Sequence, residues 1–176
     1  MNQIEQDIFN NKIDNDNNES LGTVYTEYKQ MKLGKIENGT VIDHIPPELC
    51  FKIITILKLE DYGKVVSAAV NLNSLKRGKK GIIKISSKYL TEEEINKISV
   101  VCQDVTACII KDYKVEEKIR LRLPMGIKNI VRCNNPNCIT NVEDVNTHFK
   151  VINQIPLKIR CNFCERIINK KDIVLK

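Results

Sequence analysis

Two pairs of cysteines hold the chain's clearest chemistry: Cys133-x4-Cys138 and Cys161-x2-Cys164, with 22 residues between the pairs. Each spacing lets two thiolates chelate one ion from a tight turn, and four thiolates in a tetrahedron suit zinc. The spacing alone also admits iron. Strand-like sequence between the pairs matches a zinc ribbon better than an iron–sulfur cluster loop. The 48 residues from 129 to 176 are close to the size at which a hydrophobic core alone rarely suffices. One structural zinc per chain contributes roughly 10–16 kcal/mol of apparent free energy in small modules, more than such a core provides. Four protein ligands leave no open position for water or substrate, so catalysis at this metal is not expected. Cys50, Cys102 and Cys108 occupy apolar positions and read as core residues. His148, beside Phe149, is a substitute ligand only if one thiolate is missing.

A second concentration of chemistry is cationic. Lys76, Arg77, Lys79, Lys80 and Lys84 cluster around one loop, and Lys111, Lys114 and Lys118 form another group. Beside Asp43 and His44, such cations suit a polyphosphate, while the carboxylate suits a ribose hydroxyl. Strand alternation places Asp43 and His44 on opposite faces, so one must reach a ligand from the strand's end. A solvated basic rim is the competing reading. Enzyme chemistry has little support, because adjacent strand residues do not form the usual mutually hydrogen-bonded pair and no nucleophile is placed by sequence.

The elements positioning these groups can be read from periodicity. Gly39–Ile45 alternates β-branched and polar residues as a strand, ended by Pro46 and Pro47, which open a helix running to Leu59. Val65–Leu72 reads as a strand, residues 73–81 as a loop and Ile82–Ser86 as a third strand. Thr91 and Glu94 form a capping-box signature for a second helix, and Val105–Asp112 follows as a fourth strand. The order β-α-β-β-α-β predicts an α+β, ferredoxin-like domain with both helices on one face, followed by a small β-rich, zinc-ribbon-like domain. Residues 119–128 read as the connector. The boundaries are 1–30 for a tail too polar to order itself, 31–122 for the first domain and 123–176 for the second.

Charge is unevenly distributed. Residues 1–30 carry net −4 and the remainder +10, within a total of +6. That balance favours an anionic partner. The polar start lacks a signal-peptide pattern, and no apolar run approaches the ~20 residues of a membrane span. A soluble, cytoplasmic protein with no membrane partner is expected.

Gly39-Thr-Val-Ile-Asp-His-Ile-Pro46, Ile82-Ile-Lys-Ile85 and the two cysteine pairs together resemble the regulatory chain of aspartate carbamoyltransferase, from about Ile36 to the C-terminus. The resemblance implies a non-catalytic subunit serving pyrimidine biosynthesis. Its first domain would bind the effectors CTP, UTP and ATP, and its zinc domain would dock on a separate catalytic chain. It also implies regulatory-chain homodimers and an assembly of two catalytic trimers with three such dimers. By the same resemblance, Ile36, Val41, Asp43, His44, Lys84, Ile110, Tyr113, Val115 and Lys118 line the effector pocket. Lys80 is associated with a second nucleotide, and Asn135 and Asn137 meet the catalytic chain. Cys108 departs from the asparagine of well-known members, and Glu37 from a basic residue.

A nucleic-acid-binding zinc ribbon is the leading rival. It fits the basic body but lacks aromatic stacking platforms, with no Trp in the chain. Nucleic acid is therefore not the expected partner.

Overall fold

The computed structural model describes residues 33–75 and 78–176. The tail assigned to residues 1–30, and the loop cations Lys76 and Arg77, lie outside the described residues.

The first domain is a five-stranded antiparallel sheet in the order β2-β3-β1-β4-β5. Its strands are β1 (Gly39–Ile45), β2 (Val66–Ser74), β3 (Gly78–Ser86), β4 (Thr106–Lys111) and β5 (Lys114–Arg120). The first four have the ferredoxin-like arrangement expected from the sequence. Helices α1 (Cys50–Ile56) and α2 (Glu92–Val101) both pack on one face. There Ile53 and Ile98 meet Ile42, Ile83, Ile85 and Ala107 in a single buried cluster. Thr91 caps α2 reciprocally with Glu94: the Glu94 N–H donates to Thr91 Oγ1 at 3.2 Å, and the Thr91 N–H to Glu94 Oε2 at 2.9 Å. Such a cap contributes about 1 kcal/mol.

Three expectations needed correction. The loop assigned to 73–81 is largely strand, because β2 runs to Ser74 and β3 starts at Gly78. The helix expected to reach Leu59 breaks into a 3-10 turn at Pro47–Leu49, α1, and a second 3-10 turn at Leu59–Asp61 after Lys58 adopts a left-handed conformation. The connector read as residues 119–128 shortens to 121–125, because β5, whose charged sequence hides its strand character, runs to Arg120 and the next strand starts at Gly126.

Gly81 shows why these elements pack as they do. A Cβ there would overlap Cys50 Sγ, so a glycine on β3 lets the start of α1 sit directly on the sheet.

The second domain is built on a four-stranded sheet, β10-β9-β8-β6. It comprises β6 (Gly126–Lys128), β8 (His148–Gln154), β9 (Leu157–Cys161) and β10 (Ile167–Asn169). A two-stranded pair, β7 (Val131–Arg132) with β11 (Val174–Leu175), and the short helix α3 (Ile139–Val142) complete it. Ile127, Phe149, Val151, Ile159 and Ile168 form its core. Val100 from α2 joins that core, and Gln103 Nε2 donates to Gln154 O at 3.2 Å, so the two domains are packed together. Among the described residues, no helix is long and apolar enough to cross a membrane.

Candidate metal centre and nucleotide face

The four cysteines singled out by spacing meet in space. Cys133 precedes the first knuckle, Cys138 caps α3, Cys161 ends β9, and Cys164 lies in the following turn. Their four ligand atoms all lie within 4.8 Å of one another. Sγ–Sγ distances are 3.6 Å for Cys133–Cys164 and 3.9 Å for Cys138–Cys161. A tetrahedron with metal–sulfur bonds of about 2.3 Å has edges of about 3.8 Å, so one ion fits and a multi-iron cluster does not. None of the cysteines is in a disulfide. His148 stands outside the cluster on β8, opposite Lys128 of β6.

The protein environment prepares these sulfurs unequally. Burial pushes the Cys133 thiol up to about 12. Burial also opposes ionisation of Cys164, but the Arg166 N–H and hydrogen bonds from Asn135, Cys133 and Cys138 outweigh it and bring the thiol to about 7. A cation at the centre would supply the charge that lets the buried sulfurs lose their protons.

Spacing did not reveal the residues that hold the knuckle. Asn141 Nδ2 donates to Cys133 O at 2.8 Å and Asn135 O at 2.7 Å, clamping the first turn from α3. Thr140 Oγ1 donates to Cys138 Sγ at 3.3 Å. Asn135 Oδ1 accepts from the Asn137 N–H at 3.1 Å, so Asn135 is turned partly inward while Asn137 is exposed.

The second candidate site is the sheet face away from the helices. Cross-strand partners point to the same face of a sheet. Val41 pairs with Lys84 on β3 and with Cys108 on β4, and Cys108 pairs with Lys118 on β5. Lys84, Val41, Cys108 and Lys118 therefore form one row across four strands, a cation at each end and apolar groups between. In the next row Ile110 pairs with Gly39 and with Val115. Ile36, Cys108 and Ile110, with Val41 against them, make a small buried cluster separate from the main core. Gly39 has φ +135°, and a Cβ there would collide with Ile85 O, so the backbone approaches closely at this notch.

Around this apolar patch lie the polar groups. Lys80 Nζ is 2.9 Å from Asp43 Oδ2. Lys84 Nζ donates to Gly34 O at 3.0 Å and Leu33 O at 3.2 Å. Burial first, and then the nearby Lys35, hold the Lys84 ammonium below its ordinary range. The hairpin between β4 and β5 turns through Asp112 and Tyr113, both with positive φ. The Tyr113 N–H donates to Glu37 O at 2.9 Å, and its side chain is exposed.

Strand alternation misplaced His44. A bulge between Ile42 and Ile45 inserts one residue, and His44 takes φ +63°, so both isoleucines enter the core. The imidazole thereby comes to Asp43, with Nδ1 3.2 Å from Oδ2, and the His44 N–H donates to Asp43 Oδ1 at 2.7 Å. The two are close after all, contrary to the argument that adjacent strand residues stay apart.

Comparison with known proteins points the same way. Residues 31–122 match the family model described as the aspartate carbamoyltransferase regulatory chain, allosteric domain, and residues 125–174 match its metal binding domain. The chain is 48% identical over 147 residues to the aspartate carbamoyltransferase regulatory chain of Pyrococcus abyssi, covering 82% of this chain and 97% of that one. It is 43% identical over 148 residues to that of Parabacteroides distasonis, covering 84% and 96%. Against that of Bacteroides fragilis it is 46% identical over 151 residues, covering 85% and 99%.

Proposed function

The chain belongs to the family of aspartate carbamoyltransferase regulatory chains, and from that premise we propose that its first domain binds CTP, UTP and ATP on the open sheet face while its second docks on the catalytic chain. The row of Lys84, Val41, Cys108 and Lys118 carries this reading. Its apolar middle suits a base, and its terminal ammonium groups suit phosphates. Asp43 and His44 serve ribose and phosphate, and Tyr113 and Val115 form the lip against the base. Lys80 reaches a second nucleotide or the far end of the first.

The division of labour runs between residues 31–122 and 123–176. Zinc is the ion favoured by four thiolates at these separations. It folds the second domain around the clamp made by Asn141 and presents Asn135 and Asn137 to the catalytic chain. Its role is structural, because the four sulfurs occupy every coordination position.

Regulatory chains pair through β2. No charged residue lies on its nine residues, whereas β5, at the opposite edge, carries Lys114, Glu116, Glu117, Lys118 and Arg120. Charge guards an edge against further pairing, and β2 lacks that guard. Nucleotides then act by binding one quaternary state more tightly than another, with a typical coupling of about 1–3 kcal/mol. The expected site of action is the cytoplasm.

The deciding experiment combines purified chain with a catalytic subunit and titrates CTP, UTP and ATP, following assembly and carbamoyl transfer. Saturable nucleotide binding with altered activity of the complex is expected. Carbamoyl transfer by this chain alone, or indifference to all three nucleotides, would reject the assignment.

A further inference from the structure

The outer face of the second domain's sheet carries a one-signed field. Lys150 of β8 pairs with Arg160 of β9, and the same row continues to Gly126 on β6 and Ile167 on β10. Lys128 pairs with His148 to one side of this row, and Lys158 pairs with Asn153 and Asn169 to the other. The alternate residues Ile127, Phe149, Val151, Ile159 and Ile168 are buried on the inner face. Lys128, Lys150, Lys158 and Arg160 are all exposed, and the four strands contain no Asp or Glu. Among the described residues, none of these four cations has an ion-pair or hydrogen-bond partner.

Resting on the regulatory-chain reading, we infer that this face is a second docking surface, distinct from the cysteine knuckle, which receives a carboxylate-rich, partly apolar surface of the catalytic chain. Two features favour a protein over a nucleic acid. Ile152 and Ile167, both on strands of this sheet, are large apolar residues half exposed at 42% and 51%. They give the cations an apolar complement typical of a protein interface. The four strands present no exposed Phe, Tyr or Trp, since Phe149 is buried, so base stacking has little platform on this face beyond the half-buried His148. Four unneutralised cations on so small a sheet repel one another, and an acidic partner relieves that repulsion on association.

The test uses the full zinc-loaded chain and the double variant K150E/R160E, with K150Q/R160Q as the milder change. Association with the catalytic subunit is measured by sedimentation at low and moderate salt, and zinc content and CTP binding are measured in parallel. Charge reversal is expected to weaken association roughly tenfold or more at low salt and to flatten its salt dependence, with the neutral pair intermediate. Zinc content and CTP binding stay at parental values. Parental association by both variants would overturn the inference while leaving the regulatory reading intact. A parent chain that never associates would overturn both. A titration with duplex RNA supplies the last arm: saturable, salt-steep binding lost in K150E/R160E, without change in catalytic-subunit association, would assign the face to nucleic acid and overturn the inference.

Discussion

Lys80 and Asp43 form an ion pair of 2.9 Å across the bulged end of β1, each side chain about one-fifth exposed. A pair this far out of water adds little over a neutral packing, but removing one partner strands the other's charge. The arrangement bears on the proposed site, because Asp43 and Lys80 stand at the end of the sheet face whose row holds Lys84, Val41, Cys108 and Lys118. D43N leaves the Lys80 ammonium without its counter-charge and should lower stability by about 1–3 kcal/mol. It should weaken CTP and ATP binding roughly tenfold through the lost ribose contact. Calorimetric titration beside a thermal melt separates the two effects, and unchanged affinity would remove Asp43 from the site.

The depressed Lys84 ammonium predicts a pH dependence of definite sign. Phosphate binding favours the charged form, so affinity is greatest while Lys84 is protonated and falls as pH rises through its lowered pKa. That loss should set in below the range of an ordinary lysine, with proton uptake on binding visible as buffer-dependent enthalpy. K84R keeps its charge over this range and should flatten the profile. K84A should bind weakly at every pH.

Removing the metal should separate the two domains' fates. A structural zinc supplies roughly 10–16 kcal/mol to a small module, so chelation should unfold the second domain. The first domain, with its own core around Ile53 and Ile98, should still bind nucleotide. Near-ultraviolet circular dichroism, nucleotide titration and sedimentation with the catalytic subunit report the three quantities. C138S should reproduce the chelated state. Assembly of metal-free chain at parental affinity would contradict the docking mechanism.

Gly81 and Cys50 offer a test of packing. Burial first, and then Glu48, push the Cys50 thiol up to about 11, so it behaves as a small neutral hydrophobe. G81A drives a methyl into that sulfur and should cost about 2 kcal/mol. In the C50A/G81A pair the clash disappears, and a denaturant double-mutant cycle should show a favourable coupling.

Introducing charge on β2 should abolish regulatory-chain pairing while preserving the monomer. Ala68 is exposed on this edge strand, so A68K should shift sedimentation to a monomer without altering zinc content. A persistent dimer would move the interface elsewhere.

What could be read from the sequence depended on whether the signal was local. Four cysteines at chelating intervals and a Thr91–Glu94 cap each declare themselves within a few residues. The β4–β5 hairpin did not, because its turn uses Asp112-Tyr113 rather than an Asn-Gly pair, and β5 has charges where alternation would show apolar groups. His44 was misplaced for a related reason. Nothing in Asp43-His44-Ile45 announces the inserted residue, whose conformation is set by the need to bury both Ile42 and Ile45. Cys108, read as core, is buried on the opposite face, in the small cluster with Ile36 and Ile110. Only cross-strand register distinguishes the two sides.

The unequal edges of the first sheet limit how far assembly can grow. If a copy of the chain adds by laying its own β2 against this β2, the two-fold operation uses both unguarded edges at once. It leaves a charged β5 at each outer end. Growth then stops at two copies, because no bare edge remains to seed a third. A chain with matching edges would instead polymerise into an open-ended ribbon.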